Sequence, residues 1–320
     1  MTKSTVVPVF FTVDEKYAPY LSTALASLIE HTSKKHNYEI NIVHNNLTLY
    51  SRRKLERLAD GRKNIKIIST KMKNNLRGIS DRKETRLKAD EFVPAIYYRI
   101  FLPEMFPQYD RAIYLDSDII VLNDIAELYN TDLQGNPIAA CLDMSTFGNP
   151  LFAKYFNDAI GISTKQYFNS GVLVMNFEQL RKEEFCEHFL YLLNFYDFDT
   201  VAPDQDYLNA MLKDRVTYLD MKWNTMPTAD SDEKNPYIVH YNLFFKPWHY
   251  DNTKYGEYFW EYANKSSFIR PINREKRNFG KRGRKTDDER LKQMSERCEE
   301  ILASEKTFKN VFDSGKERRS

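Results

Sequence analysis

Apolar strand patterns alternate with helical patterns in the first part of the chain, and this alternation constrains the fold more than any other feature. Val6–Val13 is a run of β-branched and aromatic residues, and apolar residues at helical spacing follow it. Tyr38–His44 is a second strand pattern. A charged amphipathic pattern over Leu49–Ala59 ends at Gly61, before a third short strand pattern at Ile65–Ile68. Successive β-α-β units build parallel sheets, so the pattern predicts a doubly wound α/β fold.

Two common nucleotide-binding motifs are absent from the sequence. No Gly-x-Gly-x-x-Gly follows the first strand pattern, and no Gly-x-x-x-x-Gly-Lys-Ser/Thr occurs. Both motifs hold phosphates on the backbone N–H groups of a glycine-rich loop. The phosphates of any nucleotide ligand would therefore need a cation in place of such a loop.

The cysteines and the hydropathy pattern limit the class of protein further. Cys141, Cys186 and Cys298 are isolated, without any Cys-x-x-Cys or Cys/His spacing. They support neither a disulfide framework nor a zinc site. The first residues lack the apolar run of a signal peptide, and no stretch reaches the roughly 18 apolar residues of a membrane span. We therefore expect a globular protein that stays in the cytoplasm.

Asp-x-Asp triplets, which can hold a divalent cation, occur at residues 116–118, 197–199, 204–206 and 230–232. Only the first triplet directly follows a strand pattern, Arg111–Leu115. Open α/β sheets place ligands at the carboxyl ends of their strands, where the chain can curl so that two carboxylates meet one cation. The polar sequence around residues 230–232 indicates a solvated loop. For Asp116 and Asp118 the pattern leaves metal binding and strand-end capping open.

A histidine and a lysine lie within Ile238–Trp248, a segment that begins as a strand pattern and has the sequence IVHYNLFFKPW. His240 can bind a metal ion, and Lys246 can bind a phosphate. Further strand patterns occur at Ile138–Asp143 and Val172–Asn176. A histidine packed in the core and a solvated lysine also fit the pattern. The residues alone leave these interpretations open.

Four motifs occur in the order YLDSDIIV, YFNSGVLVMN, PDQDYLNAM and VHYNLFFKPW. With these motifs, at this spacing, the chain resembles glycosyltransferase family 8 over residues 6–262. The family contains retaining transferases, among them bacterial lipooligosaccharide galactosyl- and glucosyltransferases. The resemblance implies a GT-A type domain with a mixed, mainly parallel central sheet and helices on both faces. We place this catalytic domain at residues 1–265 and a basic, partly helical C-terminal extension at residues 266–320.

The resemblance also implies a metal site and a donor substrate. Asp116, Asp118 and His240 correspond to the family's metal ligands, which hold Mn²⁺ together with the diphosphate of a UDP-hexose. An imidazole ligand favours Mn²⁺ over Mg²⁺, which prefers oxygen, although two carboxylates and a diphosphate suit either ion. Lys246 corresponds to a lysine that contacts the diphosphate. The motif at residues 116–118 is therefore expected to be one half of a metal and diphosphate site.

Other residues fall on family positions that bind the donor. Asp14 is expected to bind the base and Tyr17 to stack on it, although Lys16 stands where relatives often carry asparagine. Arg99 is expected near the sugar and diphosphate, with a helix-surface arginine as the alternative. The sugar is expected to meet Asp143, Asn169, Asp204 and Gln205. Gln205 faces the anomeric carbon in this interpretation, and an amide is a poor nucleophile, so we expect front-face substitution rather than a covalent intermediate.

The implied function is the Mn²⁺-dependent, retaining transfer of glucose or galactose from a UDP-sugar to a saccharide, a lipid-linked saccharide or a glycoprotein. Two other functions are compatible with parts of the sequence. A catalytically silent sugar-nucleotide-binding or scaffold protein would keep the fold, but the intact set of site positions argues against it. A nucleotidyltransferase would need a glycine-rich basic loop after the first strand, where this chain has Val13-Asp14-Glu15.

The C-terminal segment differs in charge from the rest of the chain. Residues 270–320 carry 16 Lys/Arg and 10 Asp/Glu, out of totals of 47 and 45. Ser266–Lys285 shows no helical periodicity, whereas a short amphipathic helix is predicted beyond it. A solvated tail and a surface that docks on an anionic membrane are both compatible with this composition. Nucleic acid is not expected as a partner, because the aromatic residues within the basic stretch Ser266–Lys285 are limited to Phe268 and Phe279.

Overall fold

The computed structural model describes residues 6–72, 95–146, 148–228 and 230–317. Its strands are β1 (Val6–Val13), β2 (Asn37–His44), β3 (Ile65–Lys71), β4 (Arg111–Leu115), β5 (Ile119–Val121), β6 (Ile138–Leu142), β7 (Phe168–Asn176), β8 (Val216–Tyr218) and β9 (Ile238–His240). Its α-helices are α1 (Ala18–Glu30), α2 (Leu49–Glu56), α3 (Ala95–Met105), α4 (Ile125–Tyr129), α5 (Pro150–Tyr155), α6 (Phe177–Lys182), α7 (Phe185–Phe195), α8 (Pro203–Met211), α9 (Gly256–Ala263), α10 (Ile269–Leu302) and α11 (Phe308–Asp313).

The main sheet has seven strands in the order β3-β2-β1-β4-β7-β6-β8. β1, β2, β3 and β4 pair in parallel, whereas β7 is antiparallel to both of its neighbours, β4 and β6. β8 is parallel to β6. The predicted mixed, mainly parallel sheet is therefore confirmed.

A second, small sheet pairs β5 with β9 in antiparallel fashion. Ile119, directly after the first Asp-x-Asp triplet, lies opposite His240 in this pairing. Residues far apart in the sequence are thereby held in register by backbone hydrogen bonds. The small sheet brings the two halves of the candidate site together.

Apolar side chains fill both faces of the main sheet. Along β1, Phe10 packs into one core, whereas Val9 and Phe11 pack into the other. This alternation follows from the two-residue period of a strand. Leu21 of α1 lies in the core of Val9, and Phe189 of α7 lies in the core of Phe10. The sheet is thus covered by helices on both faces, as the α/β pattern predicts.

The sequence patterns predict the positions of most helices and strands, but some predicted ends differ from the observed ones. The helix that was expected over Leu49–Ala59 divides into α2 and a 3-10 turn, Arg57–Ala59. β7 begins at Phe168, four residues before the predicted strand. The reason is that Phe168 to Gly171 mix polar with apolar residues, although all four are buried in the sheet. Burial on both faces removes the alternation that a strand pattern relies on.

The C-terminal segment is more regular than its sequence indicates. The prediction that Ser266–Lys285 lacks helical structure is wrong, since α10 spans Ile269–Leu302 with a break at Gly280. Gly280 has φ 47° and ψ −155°, a backbone conformation that is essentially restricted to glycine. This part of α10 buries few apolar side chains, since Ile272 is the one apolar residue that is buried before Gly280 among the residues that the structure describes. Few apolar residues among many charges leave no readable periodicity.

The C-terminal segment also packs against the rest of the protein. Cys298, Ile301 and Phe308 belong to the same apolar core as Phe10 and Phe189. The expected boundary near residue 265 stays a prediction, and the residues beyond it share a core with the sheet. In the part of the chain that the structure describes, no helix is long and apolar enough to cross a membrane.

Candidate metal and donor site

The triplet Asp116-Ser117-Asp118 lies directly after β4, and the backbone on both sides of it is held by hydrogen bonds. The N–H of Asp116 donates to the carbonyl of Gly171 on β7, at 2.8 Å. The N–H of Tyr241, which follows β9, donates to the carbonyl of Asp118, at 3.0 Å. The triplet is therefore fixed between two strands at the carboxyl edge of the sheet.

His240 completes a cluster of three metal-binding side chains. Its Nε2 atom lies 3.3 Å from Oδ1 of Asp118 and 3.7 Å from Oδ2 of Asp116. One ligand atom from each residue lies within 4.8 Å of the others, and among the described residues no other group of three such side chains is found. Two carboxylates and an imidazole form a donor set that suits Mn²⁺. The cluster could therefore hold a divalent metal ion.

Gly171 on β7 makes room for this cluster. A Cβ atom at this position would lie 2.3 Å from Cε1 of His240 and 2.7 Å from Oδ2 of Asp116. Neither contact is possible, so the two ligands can approach each other only over a glycine. Gly171 is a site residue that the sequence motifs did not single out. A glycine inside an otherwise apolar strand pattern is the signal that could have identified it.

Arg99 of α3 is buried beneath the triplet. Its Nη2 atom lies 3.0 Å from Oδ1 of Asp116, and its Nε atom lies 3.0 Å from Oδ2 of Asp204. Burial opposes the charge of Arg99, but these two carboxylates raise its pKa overall. Arg99 is only 6% exposed, and its guanidinium bridges two carboxylates. The alternative that Arg99 lies on a helix surface is therefore wrong. Arg99 holds a permanent positive charge beside the cluster of Asp116, Asp118 and His240.

Asp116 divides its two carboxylate oxygens between different partners. Oδ1 accepts a hydrogen bond from the hydroxyl of Tyr114, at 2.7 Å, in addition to the ion pair with Arg99. Oδ2 faces His240 instead. Tyr114 is itself held by a 2.9 Å hydrogen bond to the hydroxyl of Thr12. One oxygen is thus used to orient the carboxylate, and the other faces His240, the third member of the cluster.

Lys246 lies on the other side of the cluster. Its Nζ atom is 2.5 Å from Oδ2 of Asp118 and also donates to the carbonyl of Tyr241. Burial alone would raise the pKa of Asp118, but the ammonium of Lys246, with a contribution from His240, holds that pKa well below its usual range. Lys246 is 6% exposed, so the solvated-lysine interpretation is wrong. A buried ammonium beside this cluster of side chains is suited to binding a phosphate group.

The predicted sugar-binding residues adjoin the cluster and bond to one another. Nε2 of Gln205 donates to Oδ2 of Asp143 at 2.8 Å, and Nδ2 of Asn169 donates to the same oxygen at 3.1 Å. Oε1 of Gln205 accepts from the N–H of Ser170 at 2.9 Å. These side chains form a buried group of amides and carboxylates, which matches the many hydroxyl groups of a sugar.

Asp204 and Asp206, on either side of Gln205, have different surroundings. Asp204 faces Arg99, and burial raises its pKa even though Arg99 opposes this. Asp206 is fully buried and accepts hydrogen bonds from the hydroxyls of Tyr155 and Tyr167, at 2.8 and 2.6 Å. The backbone N–H groups of residues 201 and 202 also donate hydrogen bonds to this carboxylate. Asp206 therefore anchors the start of α8.

The residues that were expected to bind the base lie where β1 ends and α1 begins. Oδ1 of Asp14 accepts from the N–H of Tyr17 at 2.9 Å, and the ring of Tyr17 packs edge-on against Tyr20 at 5.5 Å. Asp14 and Tyr17 are half-buried. The hydroxyl of Ser117 donates to the carbonyl of Thr12, at 3.4 Å. The end of β1 is thereby tied to the metal cluster, and the base-binding roles stay predictions.

The open, mainly parallel α/β sheet, with two aspartates and a histidine at its carboxyl edge, matches the GT-A fold of glycosyltransferases. The family model "Glycosyl transferase family 8" matches residues 8–252. The chain therefore belongs to glycosyltransferase family 8, as the sequence motifs predict.

Several named relatives are similar to this chain in sequence. General stress protein A of Bacillus subtilis is 28% identical over 285 residues, which cover 81% of this chain and 94% of the relative. A lipopolysaccharide 1,2-glucosyltransferase of Escherichia coli is 28% identical over 50% of this chain and 52% of its own length. Glycosyltransferase GlyB of Streptococcus pneumoniae is 29% identical over 79% of this chain, but the match spans only 61% of that relative.

The solved structures show the same fold. The galactosyltransferase LgtC, in complex with donor and acceptor sugar analogues, has a TM-score of 0.66 and 24% identity, over 82% of this chain and 96% of LgtC. The bifunctional glycosyltransferase WbbM has a TM-score of 0.74 and 23% identity, over 87% of this chain and 53% of WbbM. At these identities the likeness supports the fold alone.

Proposed function

We propose that this protein transfers a hexose, glucose or galactose, from a UDP-sugar to a saccharide hydroxyl, with Mn²⁺ as cofactor and with retention of configuration. The observation that carries the proposal is the cluster of Asp116, Asp118 and His240, with buried Lys246 on one side and the Asp143–Asn169–Gln205 group on the other. Metal ligands, a phosphate-binding cation and a polyol-binding group together suit the cleavage of a sugar diphosphate.

Asp116, Asp118 and His240 would hold the metal ion, which neutralises charge on the departing diphosphate when it is bound. Lys246 would move from Asp118 toward a phosphate oxygen and supply a second positive charge where negative charge grows. Arg99 orients the carboxylate of Asp116 through their 3.0 Å contact. The half-buried Asp14 and Tyr17 would bind the base at the end of β1.

The retaining mechanism that we favour is front-face substitution. A covalent route needs a carboxylate that is free to attack the anomeric carbon. Asp206 is saturated by hydrogen bonds, Asp204 is engaged by Arg99 and by the hydroxyl of Ser170, and Gln205 is an amide. Their engaged oxygens favour a role in stabilising an oxocarbenium-like state. A glycosyl adduct trapped on any of these three residues during turnover would contradict this mechanism.

For the acceptor we propose a saccharide, in a lipid-linked or glycoprotein form, with the enzyme in the cytoplasm at the inner face of the membrane. The first part of α10 supports this placement, because Arg270, Arg274 and Arg277 are exposed at spacings that share one helix face. Basic side chains near an anionic lipid surface contribute about 1 kcal/mol each. Co-sedimentation of the full chain with anionic vesicles would test it, and replacing the three arginines with glutamate should abolish the binding.

The central test is UDP release from a panel of UDP-hexoses in the presence of Mn²⁺, followed by NMR of the product's anomeric configuration. We expect release from one or two hexoses and an α-linked product from the α-configured donor. His240→Ala should reduce release at least about 100-fold. Absence of release from every UDP-hexose would refute the proposal, and a β-linked product would refute retention.

A further inference from the structure

The proposed metal site places a requirement on His240. A histidine binds a metal through the ring nitrogen that carries a lone pair, so the other nitrogen must carry the proton when the ring is neutral. Nε2 of His240 faces Asp116 and Asp118. The site therefore needs Nδ1 to be the protonated nitrogen.

Nδ1 of His240 lies 2.9 Å from Oδ1 of Asn224, a residue that is fully buried. Nδ2 of Asn224 in turn lies 3.0 Å from Oδ1 of Asn169. The same Oδ1 of Asn169 lies 2.9 Å from the backbone N of Gly171. The ring of His240 is thus connected to a backbone amide of β7 through two asparagine side chains.

The direction of this chain of hydrogen bonds follows from its last member. The backbone N–H of Gly171 can only donate, so the atom of Asn169 that faces it must be the oxygen. That oxygen must then accept from the amide nitrogen of Asn224, which turns the oxygen of Asn224 toward His240. An oxygen can only accept, and Nδ1 of His240 must therefore carry a proton. The lone pair is left on Nε2, on the side of the two aspartates.

Asn224 is held firmly in this position. It ends the 3-10 turn Met221–Asn224, and the next residue, Thr225, is bonded to β9 on both sides. The N–H of Thr225 donates to the carbonyl of Ile238 at 2.9 Å, and its carbonyl accepts from the N–H of His240 at 2.8 Å. The backbones next to Asn224 and of His240 are therefore fixed by the same pairing, which sets the separation that their two side chains span.

We propose that Asn224 is a positioning residue that fixes the Nδ1–H tautomer of His240 and so prepares Nε2 to bind the metal before the metal arrives. This inference rests on the proposed metal site. Asn169 takes part in both halves of the site, because its Nδ2 faces Asp143 and its Oδ1 faces Asn224. The orientation of the sugar-binding amides and the tautomer of the metal ligand are set by one connected network.

The first test is the tautomer of His240 in the metal-free wild-type protein, measured by long-range ¹H–¹⁵N NMR after the pH has been raised until a single ring proton remains. The proton is expected on Nδ1. A proton on Nε2 would overturn the proposal directly. This measurement needs no variant, so it is not affected by a loss of folding.

The second test is the affinity for Mn²⁺ alone, followed by the EPR signal of the free ion. Asn224→Leu has a similar size but offers no acceptor, and it should weaken Mn²⁺ binding by about 10- to 100-fold. Asn224→Asp keeps an acceptor for Nδ1–H but loses the N–H that donates to Oδ1 of Asn169, so its affinity should lie above that of Asn224→Leu and at or below that of the wild type. Rescue by aspartate but not by leucine separates the acceptor role from simple packing.

The outcomes distinguish this inference from the proposed function. If the wild type and His240→Ala both fail to bind Mn²⁺, the proposed metal site is wrong. If His240→Ala loses Mn²⁺ binding while Asn224→Leu binds as the wild type does, the metal site stands and the role of Asn224 is refuted.

Discussion

Asp116 and Asp118 each keep a carboxylate oxygen that faces His240, whereas the carboxylate of Asp206 accepts hydrogen bonds that hold the fold together. The triplets 116–118 and 204–206 have the same Asp-x-Asp pattern. In the first, His240 lies 3.3 and 3.7 Å from these oxygens. In the second, two tyrosine hydroxyls and two backbone N–H groups surround Asp206. The difference teaches that spare acceptor capacity, rather than the pattern, distinguishes a candidate metal ligand from a structural aspartate.

The largest expected effect is on activity, at the first triplet. Asp116→Asn removes the charge that faces the metal position but keeps an oxygen for Tyr114 and Arg99. We expect Mn²⁺-dependent UDP release to fall at least about 100-fold, while the free energy of unfolding changes by less than about 1 kcal/mol. Steady-state kinetics and urea denaturation of the same sample check both values. A large loss of stability would make this triplet structural as well.

At the second triplet the expected effect is on stability. Asp206→Ala leaves four buried donors without their acceptor, and each unsatisfied group costs about 1–3 kcal/mol. We expect the free energy of unfolding to fall by about 3 kcal/mol or more. Mn²⁺ affinity of the fraction that stays folded should not change. Weakened Mn²⁺ binding in the folded protein would show that the two triplets are not separate.

A pH dependence sharpens the same contrast. Burial raises the pKa of Asp206 to about 6. Because the folded state then binds a proton that the unfolded state releases near its ordinary pKa of about 3.9, this residue stabilises the fold below about pH 4, and the contribution is lost as the pH rises through about 6.

Asp206→Asn supplies the matched control, since its side chain stays neutral at every pH. Relative to this variant, the wild type should lose roughly 3 kcal/mol of unfolding free energy between about pH 4 and 7. Urea denaturation at several pH values measures the difference. A difference that does not vary with pH would contradict the raised pKa.

The smallest effect is expected at a third triplet, residues 230–232. Asp232 is exposed. Asp232→Asn makes the same chemical change as Asp116→Asn, so it controls for the loss of one carboxylate charge. We expect changes below about 0.5 kcal/mol in unfolding free energy and no measurable change in UDP release. A large effect on release would show that this triplet contributes to the site.

The sequence was sufficient for the parts of the fold and site that depend on local pattern. β1 and β2 follow from apolar runs, and the position of the first triplet after β4 separated it from the other three. The family motifs brought His240 and Lys246 into the same prediction. Each of these signals lies within a short stretch of residues.

The remaining features depend on contacts between distant segments. Nothing near Asn224 in the sequence indicates that it faces His240, because the contact depends on the pairing of Thr225 with β9. The saturation of Asp206 likewise requires Tyr155 and Tyr167, which lie about forty to fifty residues away. The first part of α10, up to residue 285, was missed because it buries few apolar side chains. Such features are set by the tertiary structure, which a pattern along the chain does not record.

The pairing of β5 with β9 has a consequence for biosynthesis. Asp118 precedes β5, whereas His240 ends β9, so 122 residues separate the two ligands in the order of translation. At about 5–20 residues per second, His240 is synthesised on the order of ten seconds after Asp118. A nascent or prematurely terminated chain that stops before β9 therefore has the carboxylates without the imidazole. The three candidate ligands can therefore come together only after β9 has been synthesised.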